Sequence, residues 1–267
     1  MEKSKVTVPQ LRSLKAKKKI VMVTAYDYPQ AASADRAGVD VVLVGDSLGN
    51  VILGYDSTLP VTMDDMIHHT KAVRRGVEWA LLTADMPYLS YHVSVAETVR
   101  NAGRFIQEAG AEAVKVEGGK KRIPAIRAIL DAEIPVMGHL GLTPQSIHTL
   151  GGYKVQGRAA GQEEMLVEDA LALEEAGVFA IVLECIPASV AERITRSLAI
   201  PTIGIGAGPG CDGQVLVLHD LLGWSPGPRH TFVRTYADLS GEIHRALIRF
   251  KEDVEQERFP TAGEWFE

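Results

Sequence analysis

The sequence predicts a closed (β/α)₈ TIM barrel with additional C-terminal helices, in one domain spanning residues 1–267. Three observations predict it. Short apolar runs recur along the chain, segments of helical spacing fill most of the gaps between them, and ionisable residues follow most of the runs. An open doubly wound sheet is the alternative that the same alternation allows.

The runs are Ile20–Val23, Val41–Val44, Ala80–Leu82, Ala113–Val116, Ile134–Met137, Ala180–Leu183, Thr202–Ile205 and Val215–Leu218. They are rich in Val, Ile and Leu and do not alternate with polar residues, the pattern of strands buried on both faces of a parallel sheet. Met63–Arg75, Val95–Glu108, Glu163–Ala176 and Val190–Leu198 carry helical spacing. Asp64 and Ser94 stand where N-terminal caps are expected, and Gly76, Gly110 and Gly177 where helices should stop. Strands alternating with helices make βαβ units, and eight such units close a barrel.

One joint fits poorly. Gly206–Gly213 and a flanking residue separate the seventh and eighth runs, fewer than the dozen or so residues a parallel crossover normally needs. Either that crossover lacks a helix or the eighth strand lies elsewhere. A helical region is expected near Phe232–Gln256. Leu140–Gly161 shows no element beyond a turn near Thr143–Ser146. A segment this long is usually functional or disordered: it could cover the substrate, with Lys154 and Arg158 toward an acidic group, or be a solvated loop or subunit contact.

Composition narrows the function classes. A hydrophobic content of 46% suits a globular chain with a sizeable core, and a net charge of −6 argues against nucleic acid as a partner. Lys3, Lys5, Arg12, Lys15, Lys17, Lys18 and Lys19 concentrate positive charge at the start, which reads as a solvated lead-in. No apolar run approaches the roughly 18 residues of a membrane span, so no membrane is expected. Lys17–Lys19 precede too short an apolar stretch for a signal-peptide core. Cys185 and Cys211 are too few for a disulfide scaffold and lack metal-site spacing. A reducing cytoplasm is the expected location.

The residues at the run ends carry the chemistry. Thr24-Ala-Tyr-Asp27 follows the first run, Gly45-Asp46-Ser47 the second and Asp85 the third. Lys115 lies inside the end of the fourth, ahead of Glu117; Gly138-His139, Glu184, Gly206-Ala-Gly208 and His219-Asp220 follow the rest. In a barrel the C-terminal strand ends converge on one face, where active sites form. One acid after one strand is commonly a helix cap. So many ionisable strand ends exceed what capping requires.

Several chemistries compete for these residues. Gly45-Asp-Ser-Leu-Gly49 matches the G-x-S-x-G elbow of serine hydrolases, but the residues after it read as loop where an elbow needs a helix at once. Gly208-Pro-Gly-Cys-Asp-Gly213 matches G-x-G-x-x-G by letter, yet a strand follows where a dinucleotide site requires a helix. Asp46, Asp85 and Glu117 offer hard oxygen donors suited to Mg²⁺ or a similar ion; the competing reading is pairing with Lys and Arg, of which Lys115 is the one at these ends. His68 and His69 are helix neighbours and cannot serve one ion together. A metal there could stabilise the enolate of a small oxyacid, with Glu184 as base, Lys115 neutralising an oxygen and His139 donating a hydrogen bond. A Schiff base on Lys115 stays open.

The same positions lie in stretches that resemble the ketopantoate hydroxymethyltransferase family. They are Thr24–Tyr28, LVGDSLG at 43–49, GYDSTLPVT at 54–62, ADMPYLSY at 84–91 and AGAEAVKVEGG at 109–119. GHLGLTPQSIHTLGGYKVQGR at 138–158, LECIP at 183–187 and IGIGAGPGCDGQVLVLHDLLG at 203–223 continue the likeness, which spans roughly residues 5–250. Tyr55, where family members commonly carry histidine, lies outside the site. The resemblance implies a Mg²⁺-dependent barrel enzyme that transfers a one-carbon unit from 5,10-methylenetetrahydrofolate to 3-methyl-2-oxobutanoate through a Mg-stabilised enolate. It implies metal binding by Asp46 and Asp85, with Glu117 completing the surroundings directly or through water. It also implies substrate contacts from Asp46, Ser47, Asp85, Lys115 and His139, proton abstraction by Glu184, and assembly as a homodecamer.

Overall fold

A computed structural model describes residues 4–225, 227 and 230–266. Eight parallel strands close into a barrel in sequence order: β1 Ile20–Thr24, β2 Val41–Val44, β3 Leu81–Asp85, β4 Ala113–Glu117, β5 Val136–Gly141, β6 Ala180–Glu184, β7 Thr202–Ile205 and β8 Gly213–Leu216. Pairing of β1 with β8, from Ile20 against Gly213 to Val23 against Leu216, completes the ring. Gly213 is required there, because a side-chain carbon would collide with Ile20. The doubly wound alternative is therefore excluded, and the eighth strand starts at Gly213 rather than Val215. Its short crossover from β7 lacks a helix.

The helices are α1 Val8–Ser13, α2 Tyr28–Ala37, α3 Leu48–Val51, α4 Met63–Arg74, α5 Val95–Gln107, α6 Ile123–Asp131, α7 Ile147–Leu150, α8 Gln162–Ala176, α9 Ala188–Ser197, α10 Leu218–Leu221 and α11 Leu239–Glu255. Ser94 caps α5 as expected, and Gly177 ends α8 in the left-handed conformation. Asp64 does not cap α4. Thr62 does, by a reciprocal capping box with Asp65, which leaves Asp64 in the first turn, 2.8 Å from Arg104. The turn at Pro144–Ser146 is present, and α7 follows it inside the segment expected to lack elements. The C-terminal helix begins at Leu239, later than expected.

The basic lead-in is not simply solvated. Leu11, on α1, is fully buried in the same apolar cluster as Ile20, Val41, Leu81 and Met137. Lys5 reaches Glu112 at 2.6 Å, Lys15 reaches Asp212 at 2.8 Å and Lys18 reaches Asp40 at 2.8 Å. These carboxylates also accept backbone N–H groups at the entrances of strands: Glu112 from Leu82, Asp212 from Thr202 and Asp40 from Val21. The lysines thus neutralise acids that the strand starts already hold in place.

Inside the barrel, every second residue of a strand faces inward. The inward series is apolar at one end and ionisable at the other: Ala113, Lys115, Glu117 on β4; Met137, His139 on β5; Leu81, Thr83, Asp85 on β3; Ala180, Val182, Glu184 on β6. Apolar residues at the intervening positions face the helices, which is why the runs looked uniformly apolar.

The described chain divides after Val217 into two compact units. The second contains α10 and α11; in it the His219 ring stacks on Trp224 at 4.8 Å and Asp238 caps α11 through Gly241 N–H. Among the described residues no helix is long and apolar enough to cross a membrane.

Candidate active site

The inward series ends at the C-terminal mouth of the barrel, and register there decides which groups meet. Asp85 pairs with Lys115 across β3 and β4, and Glu117 with His139 across β4 and β5. Lys115 Nζ lies 2.9 Å from Asp85 Oδ1 and 3.1 Å from His139 Nδ1. His139 Nδ1 also lies 3.5 Å from Glu117 Oε1, and its Nε2 lies 3.2 Å from Glu184 Oε2. Asp46, just past β2, donates its backbone N–H to Asp85 Oδ2 at 3.1 Å. The structure therefore brings Asp46, Asp85, Lys115, Glu117, His139 and Glu184 together, from five strands or their ends.

Local backbone features make this possible. Gly141 ends β5 at φ +94, and a side-chain carbon there would run into the Glu184 carbonyl. Glycine alone lets β5 and β6 approach so closely at the point where His139 meets Glu184. Directly after Glu184, Cys185 adopts φ +46, a strained value for a residue with a side chain.

Burial and crowding of like charge set the electrostatics. Asp46 is pushed well above the usual carboxylate range by burial, and then by the neighbouring Asp85 and Glu117 charges. Burial also raises Asp85, against the pull of Lys115. Burial would raise Glu117 as well, but His139, Lys115 and the Gln145 N–H together hold it below the ordinary value. Lys115 stays charged because the three acids outweigh its desolvation. Burial and Lys115 oppose a charge on His139, yet Glu117 and Glu184 push it up to about 9. When neutral, its Nδ1 accepts from Lys115 and Nε2–H faces Glu184; when charged, Nδ1–H turns to Glu117 instead.

Four carboxylates thus face two basic groups. That excess of buried negative charge, carried on hard oxygens, fits a divalent cation such as Mg²⁺. Among the described residues no three His, Cys, Asp or Glu side chains form a ready-made cage. A Mg²⁺ site needs none, because the ion usually takes one or two carboxylates and fills its remaining positions with water and ligand oxygens. Asp46 and Asp85 are the adjacent pair, linked by the Asp46 N–H, and Glu117 lies beside them with its oxygens near Gln145 N–H at 3.1 Å and His139.

Ser47 corrects one part of the sequence reading. The one-turn helix α3 starts directly behind it, where a loop was expected. Its hydroxyl instead lies 2.8 Å from the Tyr26 phenol, so its hydrogen-bond partner is not a basic group of the kind that activates a serine nucleophile. In the other misleading motif, β8 begins at Gly213, as expected of a turn rather than a nucleotide loop. His68 and His69 do diverge: His69 Nδ1 meets the Tyr26 carbonyl at 2.6 Å while His68 is exposed. Lys154 and Arg158 are both exposed on the segment after α7, which is tied to the mouth by Gln156 N–H donating to the Cys185 carbonyl at 2.9 Å. Sequence reasoning missed Gln145 and Tyr91, buried polar residues beside the acids that no periodicity marks.

Comparison with known proteins agrees with this architecture. The family model described as ketopantoate hydroxymethyltransferase matches residues 5–262. A 3-methyl-2-oxobutanoate hydroxymethyltransferase from Moorella thermoacetica is 59% identical over 97% of each chain. One from Syntrophomonas wolfei is 58% identical over 98% of this chain and 96% of its own. Among solved structures, a phosphoenolpyruvate phosphomutase from Streptomyces platensis superposes with a TM-score of 0.63 at 15% identity, covering 94% and 88% of the two chains. A phosphonopyruvate hydrolase in complex with oxalate and Mg²⁺ gives 0.63 at 14% identity, covering 96% and 92%. These two likenesses establish the fold alone.

Proposed function

The chain belongs to the ketopantoate hydroxymethyltransferase family, and on that premise we propose that it transfers a hydroxymethyl group from 5,10-methylenetetrahydrofolate to 3-methyl-2-oxobutanoate, giving 2-dehydropantoate. The observation that carries the reading is the contact between Glu184 and His139 above a cluster of buried acids. The Glu184 side chain keeps 18% of its surface exposed, against 6% or less for Asp85, Lys115 and Glu117, so it can face a substrate entering the mouth.

Glu184 takes the proton from the branched carbon of the keto acid. His139, with Nε2 3.2 Å from Glu184 Oε2, keeps a basic group beside that carboxylate, and Lys115 balances negative charge arising on the substrate oxygens. Ser47 donates its hydroxyl to the keto acid, within reach of Asp46. Asp46 and Asp85 would hold Mg²⁺, with Glu117 beside them. When bound, that ion supplies positive charge opposite the carboxylate and keto oxygens. Water opens the methylene bridge of the folate, both carbon–nitrogen bonds break and tetrahydrofolate leaves, freeing the carbon at the formaldehyde level. The deprotonated carbon of the keto acid then bonds to it, and its oxygen takes up a proton to become the product hydroxyl. The resemblance to family members also supports a homodecamer, and the low cysteine content supports a reducing cytoplasm.

The test supplies 3-methyl-2-oxobutanoate, Mg²⁺ and 5,10-methylenetetrahydrofolate carrying ¹³C in its methylene, with mass spectrometry of the products. Labelled 2-dehydropantoate supports the reading. Cleavage of the keto acid without any folate requirement would instead identify a carbon–carbon lyase of the same barrel class.

A further inference from the structure

Gln145 sits on the 3₁₀ turn Pro144–Ser146 and is buried. Its side-chain NH₂ donates to Asp46 Oδ2 at 2.8 Å and to the Met86 carbonyl at 2.9 Å. Its Oε1 accepts from the Tyr91 hydroxyl at 2.5 Å, and its backbone N–H donates to Glu117 Oε2 at 3.1 Å. The Tyr91 oxygen in turn accepts the Glu117 backbone N–H at 3.3 Å. Both side-chain donors and the acceptor are used, and chemistry fixes the orientation of the amide. Turned end for end, its oxygen would face a carboxylate and a carbonyl.

A residue serving only to fill space here would need none of these bonds, and burying so many polar atoms is costly unless each is matched. Building on the metal reading above, we propose that Gln145, held by Tyr91, is a positioning residue that sets the Asp46 and Glu117 carboxylates for a divalent cation. It binds one oxygen of each acid and leaves Asp46 Oδ1 and Glu117 Oε1 outside its own bonds. Such outer partners typically change metal affinity by about 10- to 100-fold when removed. Tyr91 acts through Gln145, so its effect is not additive with that of Gln145.

The test titrates Mn²⁺, read by the electron paramagnetic resonance signal of the free ion, into parent protein, Gln145→Met, Tyr91→Phe and the double variant. Keto acid and folate are left out. Circular dichroism and metal-free melting monitor folding. The expected result is at least tenfold weaker Mn²⁺ binding in Gln145→Met, about threefold weaker in Tyr91→Phe, and a double variant no weaker than Gln145→Met. Should Gln145→Met fail to fold, Tyr91→Phe decides alone, by the same threefold criterion. Parent protein that binds Mn²⁺ while the folded variants bind within twofold of it overturns the role of Gln145 and leaves the metal reading intact. Parent protein that binds no Mn²⁺ overturns the metal reading, and this role with it.

Discussion

Lys115 Nζ and Asp85 Oδ1 lie 2.9 Å apart on neighbouring strands whose register pairs the two residues, and both side chains are buried. Lys115 also faces Glu117 and Asp46, so a single ammonium offsets three acids. The arrangement serves charge at the mouth rather than stability, and stability measurements on metal-free protein should expose it.

Lys115→Met leaves Asp85 without its counter-ion in a dry site, and loss of one partner of a buried pair costs about 3–5 kcal/mol. Asp46→Asn has the opposite sign. Burial and two like charges disfavour the Asp46 carboxylate, so removing its charge should stabilise the metal-free protein by about 1 kcal/mol. Urea unfolding of both variants checks the pair of signs. Equal destabilisation by the two would contradict the excess of negative charge.

Leu11→Ala tests whether the first helix belongs to the core. Leu11 is fully buried against Ile20 and its neighbours, and a leucine truncated in such a place costs about 2–5 kcal/mol. A loss of unfolding free energy in urea below that range would mean that the lead-in only rests on the barrel floor.

Neutral replacement of Lys154 and Arg158 together should raise the KM for the folate severalfold and leave the KM for the keto acid unchanged. The segment that carries both is tied to Cys185, next to Glu184. Burial and the charges of Asp46, Glu184 and Glu117 push the Tyr153 hydroxyl upward, as expected if this segment stands over the mouth. Steady-state kinetics with each substrate varied in turn is the measurement, and an unchanged folate KM would remove both residues from the folate site.

Much of the fold was legible in the sequence, because strands buried on both faces need apolar residues at every position. Val41–Val44 and Thr202–Ile205 are read with the bounds they have in the structure. Strands that end in charge extend past their apolar runs: Glu117 and Glu184, the first residues after their runs, are the last of β4 and β6, and Asp85, three residues past Leu82, is the last of β3. An inward charge ends a hydrophobic run without ending the hydrogen-bonded ladder. The period-two series Ala113-x-Lys115-x-Glu117 carried that information. The cap of α4 was assigned to Asp64 because acids and hydroxyls compete for that role, and only the backbone conformation at Thr62 settles it. The one-turn helices α3 and α7 are too short to show a period.

The site was legible in part for the same reason. Strand ends in a barrel converge wherever they lie in the sequence, so Asp46, Asp85, Lys115, Glu117, His139 and Glu184 could be grouped from position alone. Gln145 and Tyr91 come from connecting segments, whose paths depend on tertiary packing, and nothing in their spacing marks them.

Proton abstraction by Glu184 is tested most directly by following deuterium exchange at the branched carbon of 3-methyl-2-oxobutanoate by NMR in D₂O. Parent protein and Glu184→Gln are compared, each with and without Mg²⁺. Rapid exchange is expected in the parent protein with Mg²⁺, with a fall of at least about 100-fold in the variant, the usual scale for a lost general base. Exchange at the parental rate in Glu184→Gln would contradict the role assigned to that carboxylate.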